Sequence, residues 1–158
     1  AAGGAAVGNG GADMMAGCTS VAFTVPGEPQ GKGRPRVGRV GGQARMFTPS
    51  KTAAYEGLIA LAAKQAMGML PLMLGAVHVE VEAVCSVPRS WSKRKQAQAL
   101  AGEVRPTGKP DADNVLKAVC DGMNGVVFKD DSQAVSVALA KRYGETPRLR
   151  VMVAEVGL

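Results

Sequence analysis

Residues 109–133 read KPDADNVLKAVCDGMNGVVFKDDSQ. Two aspartates in D-x-D spacing, Asp111 and Asp113, open the stretch, and two adjacent ones, Asp130 and Asp131, close it. Five of the chain's thirteen acidic residues fall here, in a chain that is otherwise basic. Asp113 or Asn114 is a good N-cap, because a short polar side chain accepts from the free N–H groups of a first turn. Val115, Leu116, Val119, Cys120 and Met123 then recur at helical spacing. Asn124-Gly125 is the left-handed-tolerant pair that ends helices. The expected helix is about ten residues, or roughly 15 Å long. An apolar, extended-looking run from Gly125 to Asp130 returns up to roughly 20 Å. The second aspartate pair can therefore reach the helix start. If residues 111–113 are extended, both D-x-D side chains project to one side. Lys117 follows Asp113 by one turn, on the same helix face.

Carboxylates gathered in this way repel one another. A hard divalent cation resolves the conflict. Mg²⁺ takes oxygen ligands, often one or two carboxylates with water, and is completed by substrate phosphate. On this reading Asp111, Asp113 and Asp131, with Asp130 beside them, are candidate ligands. The alternative is a solvated acidic turn ahead of a capped helix.

The rest of the chain frames this stretch. A length of 158 residues and 46% hydrophobic content suit one globular domain. No apolar run has the length of a membrane span. The net charge of +6 with a local acidic cluster suits a polyanionic substrate handled by bound metal. Cys18, Cys85 and Cys120 are odd in number and lack metal-type spacing, so they are expected as reduced thiols. His78, the one histidine, alternates with valines and is expected on a sheet surface. A single histidine leaves little basis for zinc or serine-hydrolase chemistry.

Residues 1–19 are rich in Gly and Ala and are expected as a disordered tail, with the domain spanning 20–158. Residues 20–26 alternate like a strand. Lys32, Arg34, Arg36, Arg39, Arg45 and Lys51 then follow without an acid, among Gly and Pro. The spacing predicts a loop or open hairpin that tracks phosphate backbones. Thr48-Pro49 is a helix start, and that helix runs to Gly68. Residues 76–86 form the clearest strand, with Val77, Val79, Val81, Ala83 and Cys85 on one face and Glu80 and Glu82 on the other. Ser92 caps a short helix carrying Lys93, Arg94 and Lys95, candidate DNA contacts; Trp91 beside them is a packing anchor. Strands over 134–143 and 148–156 read as a hairpin across Thr146-Pro147. The fold class is α/β (α+β), a single domain with a mixed β-sheet packed with helices.

The run K-P-D-x-D-N, then D-D-S-Q, then a strand ending in K-R, closely resembles the RusA-type crossover junction endodeoxyribonucleases, Holliday junction resolvases of bacteria and phages. The resemblance extends from about Ala22 to Val156, including the basic segment near the front, and is densest from Lys109 to Val135. It implies a cytoplasmic homodimer that binds four-way junction DNA and makes paired, Mg²⁺-dependent nicks in recombination and repair, with Mn²⁺ as a substitute metal. It implies essential acids at Asp111, Asp113 and Asp131, an essential lysine at Lys117, and products with 5′-phosphate and 3′-hydroxyl ends. The family often carries bulky aromatic residues before the D-x-D, where this chain has Thr107 and Gly108. The rival readings are weaker. An aspartyl-phosphate phosphatase needs an apolar strand before the first Asp, and VRPTGKP stands there. An EF-hand loop needs Gly where Leu116 stands. A non-enzymatic, DNA-binding architectural protein is the remaining alternative, and metal dependence separates it.

Overall fold

The computed structural model describes residues 12–15, 18–33, 36–47 and 50–157. Period-two sequences build its main sheet. In β2 (Cys18–Pro26) Val21, Phe23 and Val25 are buried while Ala22 and Thr24 are exposed. In β5 (Val77–Ser86) Val77, Val79, Val81 and Ala83 are buried on the same face. In β7 (Arg148–Glu155) Leu149, Val151 and Val153 join them. With β1 (Ala12–Met15) and β6 (Ala134–Gly144), the sheet order is β1-β2-β7-β5-β6. Neighbours are antiparallel except for the parallel β5–β6 pair. This is the mixed sheet the alternation implies, in one α+β domain. The structure begins earlier than the expected boundary, because β1 and the start of β2 lie within residues 1–19.

The expected β6–β7 hairpin does not form. β5 stands between them, pairing with β6 on one edge and β7 on the other. β5 lies inside the sheet, between β7 and the edge strand β6, so both of its edges are paired. The 144–148 connection crosses its end, with Gly144 packed closely against Val84.

Helices cover one face. In α1 (Ser50–Met67) Thr52, Tyr55, Ile59, Ala63 and Ala66 are buried at three- and four-residue spacing. In α3 (Ala112–Met123) Val115, Ala118, Val119 and Met123 are buried. The two helices meet at Gly122, where a Cβ would stand 2.7 Å from Ile59 Cγ2. Phe128 and Met73 are fully buried in the same core; truncating such an aromatic costs about 3–5 kcal/mol. The opposite face is polar. Glu82 pairs there with Arg142 at 3.1 Å and Arg150 at 4.0 Å. A shallow cavity of about 300 Å³, lined by Thr24, Glu80, Glu82, Arg150 and Met152 among others, opens on that face and contains none of the expected site residues.

The basic segment is an ordered ribbon. β3 (Arg36–Val40) and β4 (Gln43–Phe47) form a separate two-stranded sheet, from Arg36 opposite Phe47 to Val40 opposite Gln43. Gly41 and Gly42 turn it, with φ of +61° and +80°, the consecutive positive values of a tight hairpin turn.

Candidate active site

The helix starts earlier than expected, with its N-cap two residues before Asp113 and three before Asn114. Asp111 occupies the N-cap position with extended backbone, and Ala112 and Asp113 are already helical. The two aspartates therefore do not share an extended strand. Although Asp111 sits where a carboxylate would cap, it makes no capping hydrogen bond. Its Oδ2 accepts only a long 3.5 Å bond from Asn114 Nδ2 among the described residues. Asp111 and Asp113 are exposed at the positive end of the helix. Lys117, one turn on, is exposed as well.

Two other parts of the chain hold this helix start in place. From β6, Lys141 Nζ donates to the carbonyls of Gly108 (2.8 Å) and Pro110 (3.0 Å), immediately before Asp111. From the root of the β3–β4 ribbon, Lys32 N donates to Asn114 O at 3.0 Å. Gly31 lies so close that an added Cβ would be 2.9 Å from Asn114 Cβ, which only a glycine permits without displacement. Gly33 N donates to Thr52 Oγ1 at 2.9 Å. Lys32 Nζ pairs with Asp121, and with Glu56 at 3.4 Å. The hydrogen bond to Asp121, together with the charges of Asp121 and Glu56, holds the Lys32 ammonium above its ordinary pKa despite partial burial. Lys32, expected as a DNA contact, is placed against two carboxylates that the sequence pattern did not connect with it.

The chain beyond α3 is a compact turn rather than an extended return. Val126 N and Val127 N donate back to Met123 O, and Gly125, with φ +77°, donates to Phe128 O. A short 3-10 turn, Asp131–Gln133, follows. Its N-cap is Asp130, whose Oδ2 accepts from Ser132 N at 3.1 Å. Gln133 completes the box. Its Oε1 accepts from Asp130 N and its Nε2 donates to Met73 O and Gly75 O. The hydrogen bonds from Ser132 hold the Asp130 carboxyl below the ordinary range. Asp130 is thus a capping residue, whereas the Asp131 carboxylate is exposed and accepts no hydrogen bond among the described residues.

Asp131 lies beside the third turn of α3. Burial, then the charges of Asp131 and Asp121, push the Cys120 thiol up to about 11. Cys120 stands seven residues after Asp113, roughly 10 Å along the axis. Among the described residues no three His, Cys, Asp or Glu side chains converge as a metal-holding group. The donor chemistry nonetheless fits a hard cation: all-oxygen, exposed, and uncommitted at Asp111 and Asp131. Such a cation keeps several waters and needs only one or two carboxylates with substrate phosphate.

The remaining expected contacts divide into three groups. Arg39 is exposed on β3. Arg36 and Arg45 are placed on the ribbon by strand register, and Arg34 lies outside the described residues. Ser92 caps α2 (Lys93–Leu100) by accepting from Lys95 N, and Lys93 and Arg94 are exposed on that helix. Lys95 Nζ lies 3.9 Å from the centroid of the Trp91 ring, which itself meets Tyr143 edge-on at 5.4 Å. Trp91 is a packing anchor, and Lys95 is engaged with it. His78 is on the sheet surface, its Nδ1 2.9 Å from Ser136 Oγ. Cys85 and Cys120 are free and buried.

Gln133 and Lys141 stand in the D-D-S-Q and K-R runs but were given no role there, and the Lys32–Asp121 pair was not foreseen from sequence. For Lys141 a signal existed. It falls on the same alternation as Val137 and Leu139, a position where a cation needs a reason.

The chain is 40% identical over 138 residues to a Bacillus subtilis (strain 168) protein, "Uncharacterized protein YqaN"; the match covers 86% of this chain and 96% of that one. The family model for endodeoxyribonuclease RusA matches residues 26–154, which include the ribbon, both helix-start clamps and all four aspartates. The chain belongs to the RusA family of endodeoxyribonucleases.

Proposed function

We propose that this chain is a Mg²⁺-dependent, structure-selective endodeoxyribonuclease that resolves four-way Holliday junctions by paired symmetric nicks. The observation that carries the reading is the exposed D-x-D at the start of α3, with an Asp111 carboxylate not used as a cap, in a chain of an endodeoxyribonuclease family. Asp111 and Asp113, completed by water and substrate phosphate, would hold the divalent ion, Mg²⁺ or Mn²⁺, with Asp131 the further carboxylate that the family resemblance implies. When bound, such an ion lowers the pKa of its water and offsets charge on the phosphoryl oxygens.

The chain's own residues do the rest. Lys117 is carried by the helix to a position one turn from Asp113, where its ammonium meets charge gathering on the scissile phosphate. Arg39, on a two-stranded ribbon whose strands also carry Arg36 and Arg45, would contact the DNA backbone, and a two-stranded ribbon fits a major groove; Arg34, outside the described residues, is the further cation that the sequence offers. Lys93 and Arg94 extend the basic surface at α2. A two-fold homodimer would match the two-fold symmetry of a junction and produce paired cuts. Among the described residues no helix is long and apolar enough to cross a membrane, which is compatible with work on cytoplasmic DNA in a bacterial or phage-infected cell.

The test is a labelled synthetic four-way junction beside a matched linear duplex, with Mg²⁺ or EDTA, and with Asp113→Asn in parallel. Symmetric, junction-selective, metal-dependent nicks lost in the variant are expected. Tight binding with no cutting under any divalent metal would overturn the nuclease reading in favour of an architectural DNA-binding protein.

A further inference from the structure

We infer that Lys141 is a positioning residue for the D-x-D motif, holding the peptide that delivers Asp111 to the start of α3. The inference rests on the nuclease reading above and deepens it.

The approach to Asp111 is poorly tethered. After Glu103 N and Val104 N bond to Gln98 O, no backbone group of residues 105–110 makes a backbone–backbone hydrogen bond among the described residues. Thr107, Gly108 and Lys109 are exposed. The hydrogen bonds this segment does receive come from Lys141 Nζ, to Gly108 O at 2.8 Å and Pro110 O at 3.0 Å. The Pro110 carbonyl belongs to the peptide unit whose nitrogen is that of Asp111. Lys141 therefore grips the Asp111 peptide itself and the carbonyl two residues upstream.

The anchor of that grip is firm. Lys141 lies opposite Ala83 of the neighbouring strand β5, which is paired on both edges, and Ala83 is fully buried. The position of Asp111 is thus referred to the main sheet through one side chain. The residue type suits the task. An ammonium carries three donors at one point and can serve two diverging carbonyls, which a single amide or hydroxyl serves less well. Bonds from a charged donor are roughly twice as strong as neutral ones. Among the described residues no carboxylate lies within ion-pair distance of Lys141. It holds neutral carbonyls, and its positive charge stays uncancelled beside the site that is to receive a phosphodiester.

Because the gripped segment is exposed, its carbonyls would find water if Lys141 were lost. The consequence is then misplacement of Asp111 rather than collapse of the core. A displacement of about 1 Å at a reacting constellation can cost on the order of 100-fold in rate.

The experiment compares Lys141→Met, Lys141→Arg and Asp113→Asn with the wild type in three measurements. These are single-turnover junction cleavage with enzyme in excess, junction Kd in EDTA, and amide hydrogen exchange over residues 107–112 without DNA. Lys141→Met should slow the cleavage step by roughly 10- to 100-fold, leave Kd within about twofold, and raise exchange across 107–112. Lys141→Arg, which keeps a cationic donor, should recover part of the rate. If Lys141→Met fails to fold, Lys141→Gln, which keeps a neutral amide NH2 as donor, is measured in the same way and should fall between. Wild-type cleavage and unchanged exchange in Lys141→Met, with Asp113→Asn inactive, would overturn the Lys141 inference alone. Normal cutting by Asp113→Asn would instead overturn the site assignment on which it rests.

Discussion

Lys32 and Asp121, 89 residues apart in the chain, form an ion pair that fastens the root of the basic ribbon to the third turn of α3. The pair separates two kinds of cation in the basic segment, those that hold the ribbon and those that it presents. Lys32→Met and Asp121→Asn should each lower unfolding free energy by about 2 kcal/mol. The double variant should lose less than the sum, as a denaturant double-mutant cycle would show. The sign of the pH dependence follows from the raised Lys32 pKa. Its contribution is complete below the ordinary value of 10.5 and is lost as pH rises through the folded value. The gap between Lys32→Met and wild type should therefore stay flat from neutral pH to mildly alkaline conditions.

Arg39 should behave in the opposite way. It is exposed, and its charge has no carboxylate partner among the described residues. Arg39→Ala should leave the melting temperature near wild type, weaken junction binding, and reduce the slope of log K against log salt by about 1. A binding titration at several salt concentrations decides this; an unchanged slope would remove the ribbon from the DNA interface.

Asp130 and Asp131 are neighbours with different tasks. Asp130→Ala removes the acceptor for Ser132 N and should lower stability at neutral pH. Since its folded pKa is depressed below the ordinary 3.8, that stabilisation is present above the ordinary value and is lost as pH falls through the folded one. The difference from wild type should narrow in strong acid. Asp131→Asn should melt like wild type and lose cleavage by on the order of 100-fold or more. Melting curves across pH, set beside junction cleavage, tell the two apart.

Gly122→Ala offers a test of sign. By helix propensity alone, alanine in place of a helix-interior glycine gains about 1 kcal/mol, and less in the last turn, where Gly122 lies. Here the new Cβ would stand 2.7 Å from Ile59 Cγ2 and 3.1 Å from Glu56 O. Overpacking of that kind costs about 1–3 kcal/mol. Net destabilisation by chemical denaturation is the expected result, and a more stable variant would mean that the two helices part at little cost.

The thiols should be quiet. Cys120 is pushed up to about 11, so only about a thousandth of it is thiolate at pH 8. Burial and the charge of Glu28 raise Cys85 too, with Lys141 opposing them. Alkylation at pH 8 followed by mass spectrometry should modify neither in the folded protein and both after denaturation.

Strands and helices were largely legible in the residues, because the two periods differ. Val77 to Ala83 at every second position can only be a half-buried strand, and Val115, Val119 and Met123 mark a helical stripe. The caps were nearly legible. Ser92 caps as expected, while α3 begins at least two residues early because Asp111 already carries the bond from Val115 N. The partnership of strands was not legible. Alternation says which face is buried, not which edge meets which, so β6 and β7 read as a hairpin although β5 lies between them.

The site divides along the same line. The acids of residues 109–133 and their nearness along the chain were set by sequence, since D-x-D, a turn to Lys117 and a following D-D are local facts. Asp130 as a cap is also local, its partners Ser132 and Gln133 following within three residues, but two things came only from the tertiary structure: Lys32 as a tether, and Lys141 as the grip on the Asp111 peptide. Each depends on a bond between residues separated by a packed core. Local chemistry names the groups able to act, but only the folded chain decides which are already occupied by one another and which stay free for a substrate.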